Sequence, residues 1–370
     1  MSDATPYLGA TPLYPLSTYV RELKSEMGPE AFLPSRSRLL LIPLYLAVIV
    51  TATLAIARGW VPWPVVPVLA VVIGIGYACL TFIGHEGVHG GIVRGKRGKH
   101  LIGLLGFMPF VVSPRLWAAW HDRVHHANAN MPDDPDMYPT LAEYQANPRI
   151  RWFVDSFSLG NRRWRGVLSL VLGFTVQSAH QLIVSTKRGF LSAGQRRWAI
   201  AETVLGIAVW GTLAALVGFV PFLFVYVVPL LIANSIVMAF ILTNHSLSPL
   251  IPINDPLVSG LTVTSSRFVE WVTLRFGYHV EHHLFPSMSS RHAHTVRALL
   301  QEHWPERYQS MKLTAALGEL HRTARVYKDA TTLIDPRSGQ EFPVLMPGPA
   351  ATRPQVAARP QVAARTSVAA

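Results

Sequence analysis

Residues 61–91 read VPWPVVPVLAVVIGIGYACLTFIGHEGVHGG, an uncharged apolar run that passes straight into a pair of histidines. At 1.5 Å rise per residue, the run Val61–Ile83 is long enough to cross a hydrocarbon core roughly 30 Å thick. Three further stretches have the same character: Leu39–Ala57 before it, then Trp198–Phe219 and Val220–Leu242, where Pro221 marks the turn. Glu202 is the one ionisable residue in the four, near enough to the start of its span to reach the interface. The expected spans are therefore about 39–57, 61–83, 198–219 and 220–242.

The connections within each pair are very short, which makes two helical hairpins. The tips hold Arg58 alone. The segment from Gly84 to Arg197 carries Arg94, Lys96, Arg97, Lys99, Arg115, Arg123, Arg149, Arg151 and the cluster Arg162, Arg163, Arg165. Positive residues stay on the cytoplasmic side, so both termini and this long segment are expected there. Two weaker apolar stretches, Leu101–Val112 and Val167–Val176, are short for crossing and are expected to lie in the interface or to re-enter.

Composition agrees. Half the residues are hydrophobic and 15% are charged, against about 25% for soluble domains. The net charge of +12 could mean nucleic acid, but in a membrane chain it marks the cytoplasmic face, and no nucleic acid is expected. The single cysteine, Cys79, excludes a disulfide framework and a cysteine-bound iron–sulfur domain. Residues 1–38 are mixed charged and proline-rich, without a signal-peptide pattern, and read as a cytosolic N-terminal segment. Residues 39–345 form the membrane domain. The tail 346–370 repeats Arg-Pro-Gln-Val-Ala-Ala at 353–358 and 359–364 and is expected to be disordered.

The histidines carry the chemistry. His85 and His89 lie in GHEGVHGG, His121, His125 and His126 in WHDRVHHANAN, and His279, His282 and His283 in YHVEHHLFP. His245 follows the fourth span in LTNHS. Spacings of three and four put the imidazoles of a cluster on one helix face, and in the four-span topology every cluster emerges on the cytoplasmic side. Neutral imidazole suits iron, zinc, copper and nickel. A zinc site takes three or four protein ligands, so this many histidines point to two metals. Six others, His100, His180, His292, His294, His303 and His321, share no spacing with the clusters.

The motifs HEGVH, HDRVHH and HVEHHLFP resemble the three histidine boxes of the membrane fatty acid desaturase family, which related hydroxylases share, and NANMPDDPDMYP resembles that family's Asn and Asp-Pro-Asp region. The resemblance covers about Leu39 to Met288. It implies an all-α integral membrane protein: four transmembrane helices in two hairpins under a cytosolic helical cap that holds a di-iron site. It maps His85, His89, His121, His125, His126, His279, His282 and His283 onto the box ligands and His245 onto an extra histidine outside the boxes. The first box, with three intervening residues, looks like that of acyl-lipid rather than acyl-CoA desaturases. Some relatives place asparagine four residues before the extra histidine, where this chain has Ile241.

A desaturase would use two Fe ions and O2 as co-substrate on a fatty acyl or lipid substrate, because no side chain can abstract hydrogen from an alkyl chain. Glu86, Asp122 and Glu281 each adjoin a box histidine. They either orient imidazoles or are surface charge on cap helices. Trp117, Trp120 and Tyr278 either line a substrate channel or are core and interfacial aromatics. The sequence has no haem-binding His-Pro-Gly-Gly, no thiolate set and no GxGxxG, so electrons are expected from a separate donor, a ferredoxin or a cytochrome b5-like protein. The basic segment could guide its docking. The same scaffold could serve a lipid or carotenoid hydroxylase, or a fatty acid decarboxylase forming terminal alkenes. The latter needs a cation for the carboxylate, with Arg115, Arg123 and Arg267 as candidates. A metal-binding membrane transporter would want ionisable groups inside the spans, where the sequence has almost none.

Overall fold

The computed structural model describes residues 6–158, 160–161 and 163–348. The repeated tail and Arg162 lie outside these.

The helices that build the bundle and the histidine region are α1 (Leu16–Glu26), α2 (Leu41–Ala57), α3 (Val66–His89), α4 (Lys96–Phe107), α5 (Pro114–Asn128), α6 (Leu168–Val184), α7 (Ala193–Val217), α8 (Phe219–His245), α9 (Arg267–Val272), α10 (His279–Leu284) and α11 (Ala293–His303). Three small sheets stitch the segments on the histidine side. One of them pairs Thr262–Thr264 parallel with Ser310–Lys312.

Among the described residues, five helices are long and apolar enough to cross a membrane, one more than the sequence suggested. The addition is Trp164–Val184, where an interfacial or re-entrant stretch over Val167–Val176 is expected from sequence. Gln177, Ser178, His180 and Gln181 break the apolar run, yet helical hydrogen bonding continues through them because Gln177 and Gln181 find partners in the fold. Two other boundaries also shift. Helix α3 does not stop at Ile83 but carries the first histidine pair on its own last turns, and α7 begins at Ala193 rather than Trp198.

Helix α3 is the axis of the bundle. It packs on α2, α4 and α8. Its approach to α4 needs glycine: a Cβ on Gly106 would stand 2.5 Å from Gly84 Cα. Two backbones therefore meet one residue before His85, as small residues permit in membrane bundles.

The stretch over Leu101–Val112 ends in an elbow. Helices α4 and α5 bend by 105° across a short break. Val111 there has φ +58°, Ser113 Oγ accepts from Leu116 N–H at 3.2 Å, and Pro114 occupies the first turn. Helix α7 braces the elbow from one face. Glu202 accepts from Ser113 Oγ and Arg115 Nε, each at 2.6 Å, and lies 3.2 Å from His100 Nε2. One turn on, Gly206 lies against Val111, and a turn later Trp210 Nε1 donates to Met108 O at 2.9 Å. The rest of α7, with Val204, Leu205, Ile207 and Val209, is exposed apolar surface.

Both ends of α6 are tied to segments outside the five long apolar helices. Before it, Asn161 N–H donates to Thr323 O at 2.8 Å, and Ser169 Oγ accepts from Arg325. Near its end, Gln181 Nε2 donates to Pro135 O at 2.9 Å, and after it Phe190 O accepts from Arg123 at 3.4 Å.

Candidate metal centre

Helices α3 and α8 deliver His85, His89 and His245 at their C-terminal ends, while α5 and α10 close over them with the other six. Helix α5 is widened over Ala118–His125, where His126 N–H donates to His121 O, five residues back. Such π-turns recur at functional sites. Here the extra residue per turn lets His121, His125 and His126 share one side of the helix.

The imidazoles form two groups of four. His85, His89, His121 and His282 make one, and His125, His245, His279 and His283 the other, the ligand atoms of each lying within 4.8 Å of one another. His126 belongs to neither group but touches both: its Nε2 is 3.2 Å from that of His282, and its ring stacks on His283 at 4.3 Å. His245 Nε2 lies 3.2 Å from His125 Nε2 and also contacts His279 Nε2.

The donor set fits a metal. Among the described residues, His89 Nε2, His121 Nε2 and His283 Nε2 are buried without a hydrogen-bond partner. Orphan polar atoms of this kind cost about 1–3 kcal/mol each, and a cation in each group would satisfy them, His89 and His121 in the first and His283 in the second. Burial, then the neighbouring imidazoles, holds His279, His282 and His283 well below the usual histidine range, in the neutral form that binds metal.

Carboxylates hold the far nitrogens of two rings. Asp122 Oδ1 is 2.9 Å from His89 Nδ1, and Asp134 Oδ1 is 2.8 Å from His125 Nδ1. Asp136 Oδ2 faces Nδ1 of both His125 and His121, at 3.6 and 3.9 Å. Its Oδ1 accepts from Trp120 Nε1 and from Gln177 Nε2 of α6, each at 2.7 Å. From sequence Asp122 is a candidate partner for an imidazole, and Asp134 and Asp136 lie in the Asp-Pro-Asp stretch without an assigned ring, while Gln177 carries no signal. Glu86 and Glu281 face away from the imidazoles. Glu86 accepts from Arg38, Ser289 and Ser290, and Glu281 from Thr262 at 2.7 Å and Tyr308 at 2.5 Å. Burial pushes the Glu281 carboxyl above the usual range.

Two cavities meet at His85. The first lies under the imidazoles between Phe107, Phe174, Val237 and Ile241, with Trp117 and Trp120 in its wall. The second opens beside Tyr278 and Arg275 and reaches His85 and His282. Phe82, His85 and Phe276 line both. Among the residues lining either cavity, none of Arg115, Arg123 or Arg267 occurs.

The family model described as "Fatty acid desaturase" matches residues 58–315, which include all nine of these histidines. A chloroplastic omega-6 fatty acid desaturase of Spinacia oleracea is 23% identical over 257 residues, 66% of this chain and 55% of that one. The sn-1 oleoyl-lipid 12-desaturase of Arthrospira platensis is 23% identical over 248 residues, 62% of this chain and 68% of that one. A Delta(5) fatty acid desaturase of Caenorhabditis elegans is 26% identical over 261 residues, 63% of this chain and 56% of that one. This chain spans little more than half the length of the omega-6 relatives it matches.

Proposed function

The chain belongs to the fatty acid desaturase family, and from that premise we propose that it introduces a double bond into the fatty acyl chain of a membrane lipid. The observation that carries this reading is the pair of four-imidazole groups set side by side against an apolar cavity. The overall reaction removes two hydrogens from adjacent methylenes, takes one O2, two electrons and two protons, and returns two waters. Two iron ions, one in each histidine group, would supply the oxygen activation.

The protein's own part is placement. Asp122 and Asp134 fix the tautomers and ring planes of His89 and His125. His126, touching both groups, would be a further ligand, and His245 would complete the second group from the membrane side. Phe107, Phe174, Val237 and Ile241 keep water from the reacting methylenes and hold the chain along the imidazoles. Electrons come from a separate carrier, a ferredoxin or a cytochrome b5-like protein, that docks on the basic cytoplasmic face. A decarboxylase would need a cation in the metal-facing cavity, and Arg115 is instead bound to Glu202 and Arg123 to Phe190 O.

In this reading α2, α3, α7 and α8 cross the membrane as two hairpins, with both termini and the histidines in the cytoplasm. Helix α6 does not cross. Its two ends meet the same cap, and a crossing helix would carry one of them some 30 Å away.

Mass-spectrometric profiling of lipids and hydrocarbons after expression in a host lacking the gene tests the reaction. New unsaturated acyl chains are expected. Terminal alkenes or hydroxylated lipids in their place would refute desaturation while leaving the metal centre intact.

A further inference from the structure

The second cavity ends in a group of cations. Arg275 lines it, and so does Ser290, which accepts from Arg38 Nη1 at 2.7 Å. Arg275 Nη1 donates to Arg291 O at 2.7 Å, and Arg291 Nη1 to Ser35 Oγ at 3.3 Å. These bonds draw three guanidiniums around one rim. Among the described residues, Glu86 is the one carboxylate hydrogen-bonded to any of the three, through Arg38. Three cations to one anion is an arrangement that water and backbone carbonyls satisfy poorly.

The backbone is also strained there. Leu274 and Arg275 have consecutive φ values of +55° and +56°, a conformation that L-residues with bulky side chains rarely adopt and that persists where the surroundings require it. It turns the chain sharply between α9 and the third box and places Arg275 at the mouth. The rim stands at headgroup depth by two marks: Arg38 immediately precedes α2, and α9 ends at the rim with Phe268 and Trp271 exposed. Inward, the walls turn apolar, and Phe82 and Phe276, 4.6 Å apart at their ring centroids, separate this cavity from the metal-facing one.

We propose that Arg38, Arg275 and Arg291 form an oxyanion site for the acidic headgroup of the substrate lipid, a phosphate or carboxylate, whose acyl chain runs inward along Phe82 and Phe276 to His85 and His282, which line the same cavity. Only the word "substrate" rests on the desaturase reading; the binding site stands on its own geometry. Glu86 holds Arg38 in place, while Arg275 and Arg291 remain to meet the ligand.

The test uses the full chain, iron content measured, in a neutral detergent, with lipids carrying a brominated acyl chain that quench tryptophan on binding. Brominated phosphatidylglycerol should quench at about tenfold lower concentration than monogalactosyl diacylglycerol bearing the same chain, the advantage expected of one favourable charge contact. Arg275→Gln with Arg291→Gln should remove that preference and leave the neutral lipid's affinity and the iron content unchanged. Arg275→Lys with Arg291→Lys should retain most of it, which separates lost charge from lost fold. The proposal fails if Arg97→Gln, an exposed arginine on α4, weakens the acidic lipid equally. Displacement of the acidic lipid by millimolar inorganic phosphate would make this a free-anion site and overturn the headgroup assignment. So would a Gln pair that keeps the lipid preference and slows only electron delivery from an acidic ferredoxin. An enzyme that prefers the acidic lipid but forms no desaturated product would retire the reaction and uphold the site.

Discussion

His245 sits in no histidine cluster of the sequence, yet its ring packs edge-on against those of His125, His279 and His283. His245→Ala should lower turnover more than about a hundredfold and reduce bound iron, while the protein still inserts and purifies. Asn244→Ala should be milder. Full iron with near-normal turnover in the His245 variant would exclude it as a ligand. Gln177 is a different kind of residue. It touches no imidazole in the hydrogen-bond network but fixes Asp136, whose free oxygen faces one ring from each histidine group. Gln177→Leu should weaken iron binding about tenfold and alter the iron spectrum, with Gln177→Asn restoring part of it. An unchanged iron affinity would reduce the residue to packing. The imidazoles were legible in the sequence because metal ligands recur at helical spacing. Of their supporting carboxylates, only Asp122 could be assigned to a ring from its place beside a box histidine. Asp134 and Asp136 reach back to α5 through an irregular loop that has no period, and Gln177 arrives from a helix far along the chain. Glu86 and Glu281 adjoin box histidines but point about 100° away around the helix, and they serve Arg38 and Tyr308 instead.

Helix α6 was hidden for a physical reason: Gln177 and Gln181 bond to Asp136 and Pro135, so protein, not lipid, satisfies their amides. The hydropathy of a segment reports its average surroundings, and Ser169, Phe174, Ser178 and Gln181 of this helix are buried against protein. Its orientation can be read directly, because the native Cys79 is 2% exposed and will not react. Arg165→Cys and Ser192→Cys should both label with a membrane-impermeant maleimide from the cytoplasmic side alone. Labelling from opposite sides would make α6 a fifth crossing. The contact of α3 with α4 gives a second element-scale expectation. Gly106→Ala would push a methyl into Gly84 Cα, 2.5 Å away, and the helices must part next to His85. The cost of such overpacking is about 1–3 kcal/mol. A lower thermal midpoint in detergent and a loss of iron are expected, whereas Gly211→Ala on α7, where a Cβ meets open space, should change neither.

Across the whole molecule, the N-terminal segment packs against the helix that carries the third histidine cluster. Arg307, almost fully buried, donates to Asp255 Oδ2 at 2.7 Å and to Tyr19 Oη of α1 at 3.0 Å, and Tyr14 N–H donates to the same carboxylate oxygen at 2.8 Å. Helix α1 thereby lies on α10, behind the third histidine box. Arg307→Ala strands a buried carboxylate at a cost of about 3–5 kcal/mol. Limited proteolysis should then cut between residues 6 and 35, where the unaltered protein resists; equal resistance would mean the lock is dispensable. The two histidine groups have one further consequence, and it concerns the order of synthesis. Each group draws on the last box: His282 completes the first, and His279 and His283 the second. The ribosome therefore makes α3, α5 and α8 before either group has all four of its imidazoles. Until residue 283 emerges, the nascent chain holds at most partial, weaker sites. If the groups hold iron as proposed, metal uptake would be a late event in the life of each molecule, after its membrane helices are made.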